Sequence, residues 1–274
     1  MSWYNTGFNG VAAERERIAL AQAADVDRFY MKEGAKAQIV LIDDDPFSFH
    51  EHQYYKNGDR DVLTCMARVF PERPVCCQKL GDKSAYLVGY MTVLDCTPYP
   101  GKKDPSKVWQ YGLKLFPAKI GTLETLKRKR DELLSLVNRK CDVFRDTGKT
   151  AAVGNEFTFK DEIPADKLEA MFNVAQFKGK KLSDLFDEAE RDSRAMQKLA
   201  QIFTLVKTED GKLMRRIPVF NYAKMLAPKN PDEVVRILGG GNITSNYEEA
   251  KGQRSSGGGG GGGGAGGTTD GAPF

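Results

Sequence analysis

Between Gly81 and Lys119 the chain alternates aromatic and basic residues along two segments that have the two-residue period of β-strands. Tyr86 and Tyr90 share one face of the first predicted strand, and Trp109 and Tyr111 share a face of the second. Lysines surround these rings, namely Lys79, Lys83, Lys102, Lys103, Lys107, Lys114 and Lys119. The pattern predicts a pair of strands with rings and cations on one surface.

Such a surface suits an unpaired nucleic-acid strand. Bases stack on aromatic rings at about 1–3 kcal/mol each, while ammonium groups follow the phosphates. The chain carries a net charge of only +4, but the segment from Lys102 to Arg130 holds nine Lys or Arg residues against two acids. A concentrated basic stretch in a nearly balanced chain indicates a polyanionic partner. A solvated helix face at Lys127–Arg130 accounts for part of this charge.

Composition limits the class of protein. The chain has 274 residues, 41% of them hydrophobic, which is enough for one sizeable core or two small ones. It contains no run of about 18 apolar residues, so no membrane span is expected, and its first residues do not resemble a secretion signal. Five cysteines, including the adjacent Cys76 and Cys77, favour a reducing cytosol over a disulfide framework.

The hydrophobic pattern predicts an α+β fold, a small β-barrel with helical insertions. The predicted strands cover residues 36–42, 46–55, 62–69, 85–97, 107–116, 141–145 and 156–160. The predicted helices cover residues 11–29, 123–138, 164–172, 182–203 and 231–238. Asn57-Gly58 predicts a hairpin turn, Pro117 predicts the end of a strand, and residues 71–80 are predicted to form a loop.

Three regions are expected along the chain: an N-terminal arm or helix over residues 1–30, a folded domain over 31–238, and a tail over 239–274. The tail contains eight consecutive glycines, Gly257–Gly264. Polyglycine cannot bury apolar area or hold one backbone conformation, so we expect a disordered tether.

Short motifs in the same order along the chain resemble those of one protein family. They are residues 29–34 (FYMKEG), 41–44 (LIDD), 51–54 (EHQY), 81–83 (GDK), 88–90 (VGY), 93–95 (VLD) and 222–228 (YAKMLAP). Together these motifs resemble bacteriophage single-stranded DNA-binding proteins related to the helix-destabilising protein of the T-even phages.

The resemblance implies a barrel of the oligonucleotide/oligosaccharide-binding (OB) type with an aromatic, basic cleft. The rings and lysines named above would bind DNA, with Tyr54 as a further candidate. It implies a non-catalytic protein that coats and protects single-stranded DNA during replication, recombination and repair. The resemblance also implies that the protein acts in the cytoplasm of an infected bacterial host. Copies of the chain would associate with one another along the DNA.

The same family carries a structural zinc on one histidine and three cysteines. His52, twelve intervening residues and Cys65 match the first half of that spacing. Cys76 and Cys77 depart from the expected Cys-x-x-Cys. Because neighbouring cysteines are poorly arranged to supply two tetrahedral donors, the sequence favours a degenerate site without a cofactor, with bound zinc as the alternative.

The end of the tail resembles a shortened form of the tip with which bacterial single-stranded DNA-binding proteins recruit partner enzymes. Asp270, Pro273 and Phe274 carry this resemblance, and Asp270 is the only acid in the last five residues. It implies docking of replication and recombination enzymes.

Three other functions stay open at this point. Asp43–Asp45 followed by His50, Glu51 and His52 offers the ligands of a metal-dependent nuclease. Stacking and phosphate contacts would equally suit RNA. A strand-annealing recombination protein would carry the same kind of surface.

Overall fold

The structure is a computed structural model that describes residues 26–81, 84–100, 108–109, 111–148, 151–240 and 243–246. For residues 99–100 and 108–109 it describes the backbone alone. The chain divides into two compact units. Unit 1 comprises Met1–Phe47 and Gly89–Ala227, and unit 2 comprises Ser48–Val88 and Pro228–Phe274.

The described strands are short, apart from β2 and β4. They are β1 (Lys36–Leu41), β2 (Phe47–Lys56), β3 (Asp59–Thr64), β4 (Ala85–Asp95), β5 (Tyr99–Pro100), β6 (Val108–Trp109), β7 (Gly112–Lys119), β8 (Arg139–Phe144), β9 (Glu156–Glu162), β10 (Gln176–Phe177), β11 (Lys180–Lys181), β12 (Phe203–Thr204), β13 (Val219–Phe220) and β14 (Ile243–Thr244).

The helices follow or interrupt these strands. They are α1 (Val75–Leu80), α2 (Ile120–Leu133), α3 (Ala165–Val174), α4 (Leu182–Arg191), α5 (Ser193–Ile202), α6 (Tyr222–Met225) and α7 (Pro231–Leu238), with a 3₁₀ turn at Met66–Arg68. Along the described part of the chain, none of the helices is both long enough and apolar enough to cross a membrane.

Unit 1 is built on an open, mixed sheet in the order β11-β10-β7-β4-β1-β8-β9. Strand β1 pairs antiparallel with both β4 and β8, whereas β10 pairs parallel with β7. The run of Ile39, Val40 and Leu41 is fully buried, as expected for a central strand that is covered on both faces. The α+β class is confirmed. A closed barrel is not found among the described strands, so the predicted OB-type barrel is not confirmed.

The core of unit 1 lies against this sheet. Phe29 stacks on Phe116, with ring centroids 5.7 Å apart, and Leu126 of helix α2 packs into the same cluster. Residues 26–29 are not helical, contrary to the predicted helix over 11–29. The Phe29 amide donates a hydrogen bond to the Leu115 carbonyl at 2.7 Å, which places this segment beside β7.

Unit 2 contains the β2–β3 hairpin, and β14 pairs with β2. The predicted turn is confirmed, because Asn57 and Gly58 have φ angles of 53° and 88° between the paired residues Lys56 and Asp59. Helix α7 begins at Pro231, a position whose backbone N–H would have no partner within the helix, so proline loses no hydrogen bond there. The Asn230 side chain caps the helix by accepting from the Glu233 amide at 2.9 Å.

Several predicted boundaries are wrong. The segment predicted as a loop over residues 71–80 contains helix α1, and the strand predicted over 62–69 is β3, which ends at Thr64 before the 3₁₀ turn. Pro117 does not end its strand, because β7 continues to Lys119. The helix predicted over 182–203 is divided at Asp192, whose side chain caps α5 by accepting from the Arg194 amide.

Candidate metal centre and nucleic-acid interface

Four potential metal ligands converge inside unit 2. They are His52, Cys65, Cys76 and Cys77, all buried, and their ligand atoms all lie within 4.8 Å of one another. His52 belongs to β2, and Cys65 follows the end of β3, where its amide donates to the His50 carbonyl at 2.7 Å. The hairpin thus holds the first two ligands beside each other.

Helix α1 supplies the other two ligands. Its first residues are Val75, Cys76 and Cys77, and it follows Pro74. Consecutive residues of an α-helix project about 100° apart around the axis, and the two sulfur atoms lie 3.9 Å apart. Adjacent cysteines can therefore serve one centre. The sequence predicted that neighbouring cysteines would be poorly arranged to supply two donors, whereas helix α1 brings both sulfurs into one cluster.

The three separations that join the Cys77 sulfur to the other donors are close to the edges of a tetrahedral zinc site. Zn–S bonds of about 2.3 Å and a Zn–N bond of about 2.0 Å imply sulfur–sulfur edges of about 3.8 Å and sulfur–nitrogen edges of about 3.5 Å. The sulfurs of Cys65 and Cys77 lie 3.5 Å apart, and the Cys77 sulfur lies 3.4 Å from Nε2 of His52. These two separations and the 3.9 Å between the Cys76 and Cys77 sulfurs are close to tetrahedral edges, and all four ligand atoms lie within 4.8 Å of one another.

The ligand groups of the cluster also have polar neighbours. The amide of Met66 donates to the Cys76 sulfur at 3.0 Å. Burial raises the pKa of the Cys76 thiol, with the neighbouring Cys65 adding to the effect. Burial thus favours the neutral thiol, and the thiolate form would need a compensating positive charge, such as that of a divalent metal. His52 Nδ1 lies 2.7 Å from the hydroxyl oxygen of Ser84. Sequence reasoning missed Ser84, since no motif marks it.

The predicted DNA-binding rings fall into two groups. Tyr54 and Tyr90 are 3% and 0% exposed, so their rings belong to the core, which corrects the expectation that they face a groove. The Tyr54 hydroxyl donates to Asp61 at 2.8 Å. Tyr86 is half-buried, and its hydroxyl donates to Glu51 at 2.6 Å. Glu51 is only 3% exposed, so a buried carboxylate holds the Tyr86 ring in place.

Tyr111 has an unusual backbone conformation. Its φ is 61°, in the left-handed region that bulky residues rarely adopt. Its carbonyl accepts from the Gln176 amide at 2.8 Å, which holds the residue at the start of β7. Tyr111 is half-buried. Strained residues of this kind cluster at ligand-binding sites, which makes Tyr111 a candidate contact.

The predicted lysines have different surroundings. Lys79 in helix α1 is exposed, as is Lys119 directly before helix α2. Lys114 forms an ion pair with the buried Asp95, with 2.8 Å between Nζ and Oδ2. That ion pair gives Lys114 a structural role. Lys83, Lys102, Lys103 and Lys107 lie outside the described residues, as do Asp270, Pro273 and Phe274 of the tail tip.

Strands β5 and β6 form a two-stranded antiparallel ribbon in which Tyr99 pairs with Trp109 and Pro100 pairs with Val108. The ribbon lies between β4 and β7 in the chain, and these two strands are neighbours in the sheet of unit 1. The register pairs the backbones of two aromatic residues, and in the sequence Lys102, Lys103 and Lys107 lie between the two strands.

The acids proposed as nuclease ligands bind different partners. Asp43 accepts from the Thr92 amide at 3.0 Å and from the Tyr222 hydroxyl. Asp44 accepts from the Leu136 amide at 2.6 Å, and Asp45 forms an ion pair with Arg130 at 2.7 Å. Each carboxylate thus joins a separate contact within unit 1.

Comparisons with protein-family models and with curated proteins find no match.

Proposed function

We propose that this chain binds single-stranded DNA without strong sequence preference and coats it during replication, recombination and repair. The observation that carries the proposal is the β5–β6 ribbon, which pairs Tyr99 with Trp109 at the base of a lysine-rich connection. The resemblance of its short motifs to phage single-stranded DNA-binding proteins supports the same function.

The ribbon supplies both kinds of contact that unpaired DNA requires. Between the paired residues Pro100 and Val108 the connection reads GKKDPSK, with three lysines and one aspartate. Cations at this spacing follow a phosphate backbone, and rings at the base stack on successive bases. Tyr111 follows Trp109 by two residues, and its left-handed backbone is held by the bond to Gln176.

Unit 2 contributes its own candidates, Tyr86 and Lys79. The buried Glu51 orients the Tyr86 hydroxyl, so the ring loses little freedom when a base stacks on it. We do not include Tyr54 or Tyr90, because both rings are buried.

We further propose that the four-residue cluster of unit 2 binds a structural zinc. His52, Cys65, Cys76 and Cys77 would hold the ion, which would cross-link the β2–β3 hairpin to helix α1. A site with four protein ligands leaves no position for water or substrate, which favours a structural over a catalytic role. The buried, thiol-rich donor set also favours zinc over calcium or magnesium.

The proposal extends to partners. The tail tip, with Asp270, Pro273 and Phe274, would recruit replication and recombination enzymes in the cytoplasm of an infected bacterial host, and copies would associate along the DNA. A nuclease is less well supported, because Asp43, Asp44 and Asp45 each bind a different partner within unit 1.

A fluorescence titration tests the function. The full chain is titrated with poly-dT, with poly-rU of the same length and with duplex DNA, each at two salt concentrations. We expect poly-dT to bind more tightly than duplex, with affinity that falls as salt rises. Equal or tighter binding to duplex would contradict the proposal, and preference for poly-rU would reassign it to RNA.

A further inference from the structure

The hydroxyl of Ser84 connects two parts of the cluster in unit 2. Its oxygen lies 2.7 Å from Nδ1 of His52, and the hydroxyl donates to the Gly81 carbonyl at 2.7 Å. The Ser84 amide donates to the same carbonyl at 3.1 Å. Two hydrogen bonds thus hold Ser84 to the carbonyl of the residue that directly follows helix α1.

Proton counting fixes the direction of these bonds. A serine hydroxyl has one proton, and a backbone carbonyl can only accept. Because the Ser84 proton goes to Gly81, the Ser84 oxygen can only accept from His52. Nδ1 of His52 must therefore carry a proton. In a neutral imidazole the other nitrogen, Nε2, is then unprotonated and can act as an acceptor or ligand.

This unprotonated nitrogen is the one that lies beside the cysteine sulfurs. Nε2 of His52 lies 3.4 Å from the Cys77 sulfur, which matches the sulfur–nitrogen edge of a tetrahedral centre. Ligand histidines almost always donate their other N–H to a carboxylate, carbonyl or similar acceptor, which sets the tautomer and the ring orientation. Ser84 occupies that position here.

The same bonds tie His52 to the helix that carries two of the cysteines. Gly81 ends helix α1, with its amide donating to the Cys77 carbonyl at 2.8 Å. Its φ of 84° lies in the region that glycine adopts without strain, and this conformation sets the direction in which its carbonyl points. Helix α1 therefore sets the position of Ser84, and Ser84 sets the position of His52.

We propose that Ser84 is a positioning residue of the metal centre: it holds His52 as the Nδ1–H tautomer and so presents Nε2 as the fourth ligand. This inference rests on the proposed metal site. Gly81 acts with it by fixing where the Ser84 proton goes.

The test measures metal affinity in the full chain. Cobalt(II) serves as a coloured probe, and zinc affinity is measured by competition with a chromophoric chelator. We expect Ser84→Ala to weaken zinc binding by about 10- to 100-fold, the usual cost of losing an outer hydrogen-bond partner. Ser84→Thr, which keeps the hydroxyl, restores the affinity to near that of the wild type. Ser48→Ala, at an exposed serine of the same unit, leaves it unchanged.

The two proposals fail in different ways. If the wild type binds neither cobalt nor zinc, the metal site itself is wrong. If the wild type binds metal and Ser84→Ala binds it equally well, the role of Ser84 is wrong and the site stands.

A second measurement needs no substitution at Ser84. The chain has only two histidines, His50 and His52, so His50→Gln leaves one imidazole for nitrogen-15 NMR. In the zinc-loaded protein we expect the proton on Nδ1 and the metal on Nε2. The opposite arrangement would overturn the inference, even if Ser84→Ala does not fold.

Discussion

The sulfur atoms of Cys65 and Cys77 lie 3.5 Å apart although twelve positions separate them in the chain. Cys65 follows strand β3 and Cys77 belongs to helix α1, and both are buried. Two buried thiols at this distance, with a third thiol and an imidazole beside them, can share one ion. The cluster thus provides a direct chemical explanation for the pair Cys76–Cys77.

The first prediction concerns metal content. The full chain, purified without chelator, should contain one equivalent of zinc, because four donors converge on one point. Cys77→Ser should lose most of it, since this residue contributes two of the short donor distances. Cys96→Ser is the control, because Cys96 lies outside the cluster. Elemental analysis decides: a wild-type content below about 0.2 equivalents would contradict the metal site, since a closed four-ligand site binds zinc tightly.

Removal of the metal should destabilise the protein. A ligand that binds only the folded state at a thousand times its Kd contributes about 4 kcal/mol to the free energy of unfolding. We therefore expect a chelator to lower the urea midpoint of the wild type and to have little effect on Cys77→Ser. Equal chelator effects on both proteins would show that the metal lies elsewhere.

The third prediction concerns pH and Asp43. Burial raises the pKa of this carboxyl to about 6, against an ordinary value of 3.8, although hydrogen bonds from Tyr222 and Thr92 oppose the rise. The folded state therefore holds this proton more tightly than the unfolded chain does. The wild type should gain stability as the pH falls from above 6 towards 4, by up to about 3 kcal/mol from this group.

Asp43→Asn removes this titration. Relative to the wild type, Asp43→Asn should therefore be more stable at pH 7 than at pH 4. This change in the difference between their unfolding free energies should be up to about 3 kcal/mol. Urea unfolding at four pH values measures it. Asp161→Asn, at an exposed position on β9, is the control. Parallel curves for Asp43→Asn and the wild type would mean that the carboxyl titrates normally.

Base stacking should depend on Trp109. Trp109→Ala should weaken binding to poly-dT by about 1–3 kcal/mol if this ring stacks on a base. Trp109→Phe keeps a ring and should recover most of the loss. A competition titration at fixed salt measures both variants. An unchanged affinity for Trp109→Ala would assign the ring to the interior of unit 1.

Local chemistry explains why much of the fold could be predicted from the sequence. The predicted strand over residues 36–42 is present as β1, Asn57-Gly58 predicted the hairpin turn, and the predicted helix over residues 231–238 is present as α7. Such signals act within a few residues. The sheet order could not be predicted, because the pairing of β1 with β8 depends on contacts about a hundred residues apart.

The candidate site shows the same limit. The four ligand types and their order could be predicted, but the geometry of Cys76 and Cys77 depends on helix α1, a short helix preceded by two prolines that suggested a loop. The two-residue period of the strand placed Tyr90 on the same predicted DNA-binding face as Tyr86. In the structure, however, β4 is buried on both faces from Val88 onwards. Period alone does not show whether the second face of a strand is covered. Ser84 carried no signal at all.

The central claim is that the lysine-rich connection of the β5–β6 ribbon holds the phosphates of single-stranded DNA. The most direct test is the salt dependence of poly-dT affinity for the wild type and for two triple variants of equal charge. One variant changes Lys102, Lys103 and Lys107 to Gln, and the other changes Lys167, Lys180 and Lys198, which are exposed elsewhere in unit 1.

Each phosphate contact contributes about 0.7 to the slope of log affinity against log salt for single strands. The account predicts that the ribbon variant lowers this slope by about 2 and weakens binding, while the second variant stays close to the wild type. Equal slopes for the two triple variants would contradict it.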